Sequence, residues 1–215
     1  MLLACLLCGG ALCVPAQTDA LARTRGLVKE IQAAAYPELA GAQLEVKPFH
    51  SSTDYFQARF AGGRLLTARR MSYQIYVNPL VYERGCPETA VRAIIAHELA
   101  HVAFYRRRKR LRLLGLARLA NGGANLRFER GADLEAIVRG YSAGLREYRE
   151  WLYRNIPAKA IKVKQRDYFT PAEIDAITTA LHDKPKLLDY WHKHVPRNLA
   201  EIKEFSSRQT GNGKL

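Results

Sequence analysis

The residues best suited to chemistry in this chain are His97, Glu98 and His101, which form the pattern H-E-x-x-H inside the apolar run from Val91 to Phe104. On a helix, residues four apart lie on one face, so His97 and His101 can grip a single cation from the same side. Zinc suits two neutral imidazoles at about 2.0–2.1 Å, completed by a third protein ligand and an open position for water. Glu98 lies one step round the helix and can reach that water as a general base. The bland alternative is a buried helix that carries the pattern by chance. The flanking Ile94, Ile95, Ala96 and Val102 weigh against it. A core helix seldom carries two histidines and a glutamate unless they are paired or metal-bound.

Two histidines leave a zinc site incomplete. The stretch Glu129-Arg130-Gly131-Ala132-Asp133 offers the rest. Glu129 and Asp133 share a helix face. Glu129 can bind the metal, and Asp133 can accept the spare ring N–H of a ligand histidine and so fix its tautomer. Alone, a Glu-x-x-x-Asp pair is common on solvated helices. It gains weight here from lying on a predicted helix downstream of His101. A structural zinc takes four protein ligands and a catalytic one takes three. Three are evident, which favours catalysis.

With this set the chain resembles the gluzincin metallopeptidases, in particular the soluble, exported type of the CAAX-prenyl-endopeptidase and HtpX-like group. The resemblance spans roughly Met71 to Tyr141. It implies a zincin-like fold and hydrolysis of a protein or peptide substrate. It also implies His97, His101 and Glu129 as zinc ligands, Glu98 as the base and Asp133 as the partner behind a ligand histidine. Substrate would lie extended along an edge strand, matched here by Met71–Val77. Such hydrolysis needs a donor for the oxyanion. Tyr141, His182, His192, His194 and the arginines of 106–112 are candidates, each with an ordinary structural reading beside it. SprT-like proteases, which act on DNA-linked proteins, use a third histidine instead. The next one here is the distant His182, so Glu129 fits better and nucleic acid is not an expected partner.

These side chains need two helices and a support. The spacing predicts an α+β fold: a small mixed or antiparallel sheet packed on the H-E-x-x-H helix and on a long second ligand helix, with a mostly helical C-terminal part. A first amphipathic helix is expected from Thr18 to Tyr36, ending before Pro37. Strands are expected at Gln43–Phe49, Tyr55–Ala61 and Met71–Val77, with a turn at Gly62-Gly63 and His50 in a surface loop. Pro87-Glu88 opens the metal helix. Continued to Asn121, that helix would carry the chain about 30 Å beyond His101, and the stretch to Glu129 could return only about 12 Å. It must therefore break within 106–112. Leu111–Ala120 is then a separate element, a lid or basic surface helix in the functional reading and a packed helix in the bland one. Asn121-Gly122-Gly123 reads as a break, followed by a long helix from Leu126 to about Tyr153. Thr170-Pro171-Ala172-Glu173 has capping-box spacing and predicts a helix from Pro171 to about His182. Two shorter helices should follow, ending near Ser207.

Hydrophobic content of 48% with 25% charged residues fits a globular chain with a proper core. Residues 17–207 are expected to form one metallopeptidase domain, with 157–207 as a helical cap and 208–215 as a disordered tail. Residues 1–16 resemble a secretory signal peptide, cleaved near Ala16, or less closely a lipidated leader at Cys5. Export to the periplasm or beyond is the expectation. It would leave Cys86 without an intramolecular disulfide partner. A formal net charge of +14 implies attraction to acidic surfaces. Arg106–Arg112 could meet an anionic membrane or an acidic polymer. The competing function is therefore a non-enzymatic basic binding module with a structural zinc.

Overall fold

The computed structural model describes residues 13–61, 71–108 and 122–208, which adopt an α+β architecture of many helices and one small sheet. Helix α1 (Cys13–Ala35) begins ahead of the expected start at Thr18 and runs through the position expected for leader cleavage. Residues 1–12, which carry most of the expected leader, lie outside the described residues. Ala20, Leu27, Val28 and Ile31 form the buried stripe of α1. Pro37 stops the helix, because the residue before a proline is pushed out of helical geometry. That residue, Tyr36, is buried, and its hydroxyl donates to the Ala96 carbonyl of the H-E-x-x-H helix at 2.7 Å.

Strands β1 (Gln43–Pro48), β2 (Phe56–Phe60) and β3 (Ser72–Val77) form one mixed sheet in the order β1-β3-β2. β1 runs parallel to β3, with Gln43 opposite Ser72. β2 runs antiparallel to it, with Phe56 opposite Val77. The expected substrate strand, Met71–Val77, is therefore the central strand and has no free edge. The reason is burial: Ser72, Tyr73, Ile75 and Val77 are all buried, as suits a strand with neighbours on both sides. The strand at the sheet edge beside the H-E-x-x-H helix is β2. His50 is exposed, as expected, and Gly62-Gly63 lies outside the described residues.

A short helix α2 (Leu80–Glu83) and a turn at Gly85, φ +63°, lead to Pro87 and helix α3 (Glu88–Arg106). Cys86, just before α3, is a buried free thiol that burial pushes up to about 12, too high for a reactive nucleophile. Helix α3 is buried almost all round, packed by α1, by β2 and by the helices that follow. It stops at Arg106, at the near end of the window that the return path to Glu129 demands. Arg106 and Arg107 turn back toward the Ala40 carbonyl and Glu38. Leu111–Ala120, the element read as a lid or surface helix, lies outside the described residues.

The expected single helix over Leu126–Tyr153 is two helices. α4 (Gly122–Ala136) begins within the glycine pair read as a break, and α5 (Ser142–Asn155) follows a wide turn over Ile137–Tyr141. Gly140 makes the difference. Its φ of +90° interrupts the helix, and a glycine takes that conformation at least cost. Gly144 then allows α5 to cross the first half of α3 closely. A Cβ there would overlap the Thr89 carbonyl oxygen and meet the Ala93 methyl at 3.0 Å. The kink leaves α4 free to lie along the second half of α3, where the histidines are.

Beyond these come α6 (Ala158–Asp167), α7 (Pro171–Asp183), α8 (Leu187–Lys193) and α9 (Leu199–Arg208). The capping box forms: Thr170 Oγ1 accepts from the Glu173 N–H at 3.3 Å, and Glu173 Oε2 accepts from the Thr170 N–H at 2.8 Å. α6 was not expected as a distinct helix, because Lys159, Lys162, Val163 and Arg166 leave it no full apolar stripe. This helical part is locked onto α4 by the buried Arg130, which donates to the Gln165 and Arg166 carbonyls and to Glu173 at 3.0–3.3 Å. Among the described residues, no helix is long and apolar enough to cross a membrane.

Candidate metal centre

His97 and His101 stand one turn apart on α3, and Glu129 reaches them from α4. The three side chains meet at single atoms. His97 Nε2 and His101 Nε2 are 3.1 Å apart, and Glu129 Oε2 lies 3.3 Å from the first and 3.1 Å from the second. The group could hold a metal ion.

Two observations test that fit. A small ion bonded tetrahedrally at about 2.0–2.1 Å separates its ligand atoms by about 3.3–3.4 Å. The observed triangle is within a few tenths of an ångström of that. The second is the set of tautomers. Asp133, one turn after Glu129, has Oδ1 2.7 Å from His97 Nδ1. A proton on Nδ1 leaves the Nε2 lone pair facing the centre, as a metal ligand requires. Charge points the same way. Glu98, Glu129 and Asp133 are countered at close range by one buried guanidinium, Arg149, so neutral imidazoles leave two negative charges for a divalent cation to balance.

Arg149 comes from α5 and was not foreseen. Its Nη2 donates to Asp133 Oδ1 at 2.7 Å, while Asp133 Oδ2 accepts from the Phe169 N–H at 2.9 Å. Asp133 is wholly buried, yet Arg149 and His97 hold its carboxyl below the usual range against that burial. For His97, burial opposes protonation, but Asp133, Glu129 and Glu98 outweigh it and raise the ring to about 10. Glu129 is half-buried, and the two imidazoles hold it well below the usual carboxylate range. The centre thus has a strong demand for positive charge, which a proton or a metal ion can meet.

Glu98 sits beside the triad. Burial pushes its carboxyl above the usual range, only partly offset by the imidazoles. Its Oε2 accepts from the Ala58 N–H of β2 at 2.5 Å, so the sheet edge fixes the side chain. A cleft of about 230 Å³ opens over Glu98, His101 and Glu129, with Ala58, Tyr105, Phe128 and Tyr168 among its walls. Phe128 stacks on His101 with ring centroids 4.2 Å apart. Tyr168 stands on the other side, 5.8 Å from the His97 ring.

Compared with known proteins, the chain matches no family model, no curated protein and no solved structure.

Among the described residues, the suggested oxyanion donors do not line this cleft. Tyr141 lies beside Thr89 and Arg92, near the start of α3. His182 is exposed on α7. His192 is exposed near Glu135, at 3.8 Å, and His194 is exposed against the Tyr190 ring. Arg108 covers the Phe104 ring. Arg110 and Arg112 lie outside the described residues. Sequence reasoning missed Tyr105, Arg149, Tyr168 and the Ala58 amide. Tyr105 was within reach, since it continues the His97, His101 series by one more helical turn. The other three depend on the kink, on α6 and on the strand order, which no motif announces.

Proposed function

We propose that this chain is a zinc metallopeptidase of the gluzincin type, zincin-like in fold, that hydrolyses peptide bonds in protein or peptide substrates. The observation that carries this reading is the convergence of His97, His101 and Glu129 on one point beside a buried glutamate in an open cleft. Two imidazoles and a carboxylate are a common ligand set for catalytic zinc, and three protein ligands leave a fourth position for water or substrate. A zinc ion held there would supply Lewis-acid polarisation of the scissile carbonyl and a more acidic water.

The rest of the work falls to side chains. Glu98 accepts the proton of the attacking water and passes it to the leaving amine. Burial raises its proton affinity, and the Ala58 N–H keeps the carboxylate aimed. Asp133 holds His97 as the Nδ1–H tautomer, and Arg149 keeps Asp133 charged. β2 offers an edge for an extended peptide, since no described strand pairs with its outer side. Ala58 presents its N–H outward there, so Phe56 and Phe60 share that side by alternation. The leader-like pattern of residues 1–16 supports action outside the cytoplasm.

Elemental analysis of the purified chain tests the reading. About one zinc per chain is expected, with clear loss in Glu129→Ala. Absence of zinc after zinc has been offered would sink it. The net charge of +14 favours a second reading, a basic module for acidic polymers or anionic membranes with a structural zinc. Glu98→Gln separates the two: it should abolish hydrolysis while leaving zinc content and polymer binding intact.

A further inference from the structure

We propose that the Tyr168 hydroxyl donates the hydrogen bond that stabilises the substrate carbonyl oxygen as it gains negative charge. The proposal rests on the peptidase reading and adds the donor which that reading lacks. Tyr168 caps the C-terminus of α6, its N–H bonded to the Lys164 carbonyl at 2.9 Å. It lines the same cleft as Glu98, His101 and Glu129 and is half-buried. Its hydroxyl makes no hydrogen bond to any described residue.

Everything around this ring holds it in place. The next residue, Phe169, is tied through its N–H to Asp133 Oδ2 at 2.9 Å, so one carboxylate orients both His97 and the backbone beside Tyr168. The Arg149 guanidinium lies over the Tyr168 ring at 4.5 Å and the Lys164 ammonium at 5.1 Å. Both cations are themselves anchored, Arg149 on Asp133 and Lys164 on Asp54. Attraction between these cations and the ring face helps to fix the phenol in one position. A donor fixed before reaction and aimed at developing charge is the most effective kind.

The other donors in or near the cleft fit the role less well. Tyr105 is buried on the His101 side among Phe60, Phe104 and Phe128. Lys164 is engaged by Asp54, and Arg59 lies on Gln57 and the Tyr76 ring. The proton accounting is simple. Tyr168 keeps its proton throughout and contributes a hydrogen bond, while the water proton travels through Glu98 to the amine.

Acetohydroxamate is a probe small enough to ignore side-chain specificity, and it places a charged oxygen beside the metal. The full chain would be loaded with cobalt(II) and titrated with acetohydroxamate, following the visible cobalt band. Tyr168→Phe should bind cobalt as the parent does and weaken acetohydroxamate about tenfold, the loss of one hydrogen bond to a charged group. Hydrolysis should fall in kcat with KM little changed. Tyr105→Phe should bind acetohydroxamate within twofold of the parent. Equal acetohydroxamate affinity in Tyr168→Phe and parent overturns the proposal and leaves the peptidase reading standing. So does a loss confined to Tyr105→Phe. Loss of cobalt from Tyr168→Phe makes the residue structural and also overturns it. A parent that takes up cobalt but shows no response to acetohydroxamate removes the peptidase reading and this proposal together.

Discussion

The two histidines of the centre are held in opposite ways. His97 is held by charge: Asp133 at 2.7 Å, with Arg149 and the Phe169 N–H behind it, all buried. His101 is held by shape: Phe128 lies against it at 4.2 Å, and Tyr105, Phe104 and Phe60 continue the aromatic wall. The polar side fixes a tautomer and a charge balance, both of which bear directly on metal affinity. The aromatic side fixes ring orientation and cleft shape and carries little charge information. Changes on the two sides should therefore separate metal affinity from packing.

Asp133→Asn tests the polar side most severely. It leaves Arg149 buried without its counter-charge and replaces the charged partner of His97 Nδ1 with a neutral amide. Breaking one partner of a buried pair costs about 3–5 kcal/mol, and losing a partner behind a metal ligand weakens metal affinity about 10- to 100-fold. Denaturant unfolding and a chelator competition measure the two. Phe128→Ala is the counterpart. It should cost about 2 kcal/mol, less than a fully buried phenylalanine because Phe128 is half-exposed. Metal affinity should move less than threefold. If Phe128→Ala lowers affinity as much as Asp133→Asn, the contrast between the two sides is wrong.

Gly140→Ala acts on the polar side from a distance. Asp133 lies on α4 and Arg149 on α5, so their ion pair spans the kink that Gly140 makes. An alanine at φ +90° should cost about 1–2 kcal/mol. It should also lower metal affinity a few-fold if the helices swing. Gly26→Ala in α1, where a methyl meets nothing within 4 Å, is the matched control and should be neutral or stabilising.

The contrast also explains what the sequence could reveal. His97, Glu98, His101, Glu129 and Asp133 were legible because local helical spacing places each pair, and the end of α3 followed from the return path to Glu129. The sheet was legible as three alternating runs, but its order was not. Pairing is a long-range choice, and the buried Ser72–Val77 took the middle place that left β2 beside the metal helix. Arg149 and Tyr168 were illegible for a related reason. They reach the centre only through a glycine kink and a lysine-rich helix, and neither shows in periodicity. The capping box at Thr170 was plain, because its three-residue spacing is entirely local.

The smallest effect expected on the polar side comes from Lys164→Met. Lys164 Nζ meets Asp54 Oδ1 at 2.5 Å, linking α6 to the loop before β2. Burial raises the Asp54 carboxyl, but the Lys164 charge and hydrogen bond, with Thr53 and Ser51, outweigh it and leave the group below its usual value. A carboxylate depressed in the folded state adds stability above its unfolded value of about 3.9 and loses it as pH falls through the folded value. Near neutral pH the parent should exceed Lys164→Met by about 1 kcal/mol, because the pair is partly solvent-exposed. As pH falls below about 3.9 the gap should shrink toward the contribution of the Lys164–Tyr168 ring contact, about 0.5 kcal/mol and independent of pH in this range. Urea unfolding of both proteins from pH 7 to pH 2.5 measures the gap. A gap that stays constant across that range would remove the Asp54 pair from the account and leave the ring contact as the whole role of Lys164.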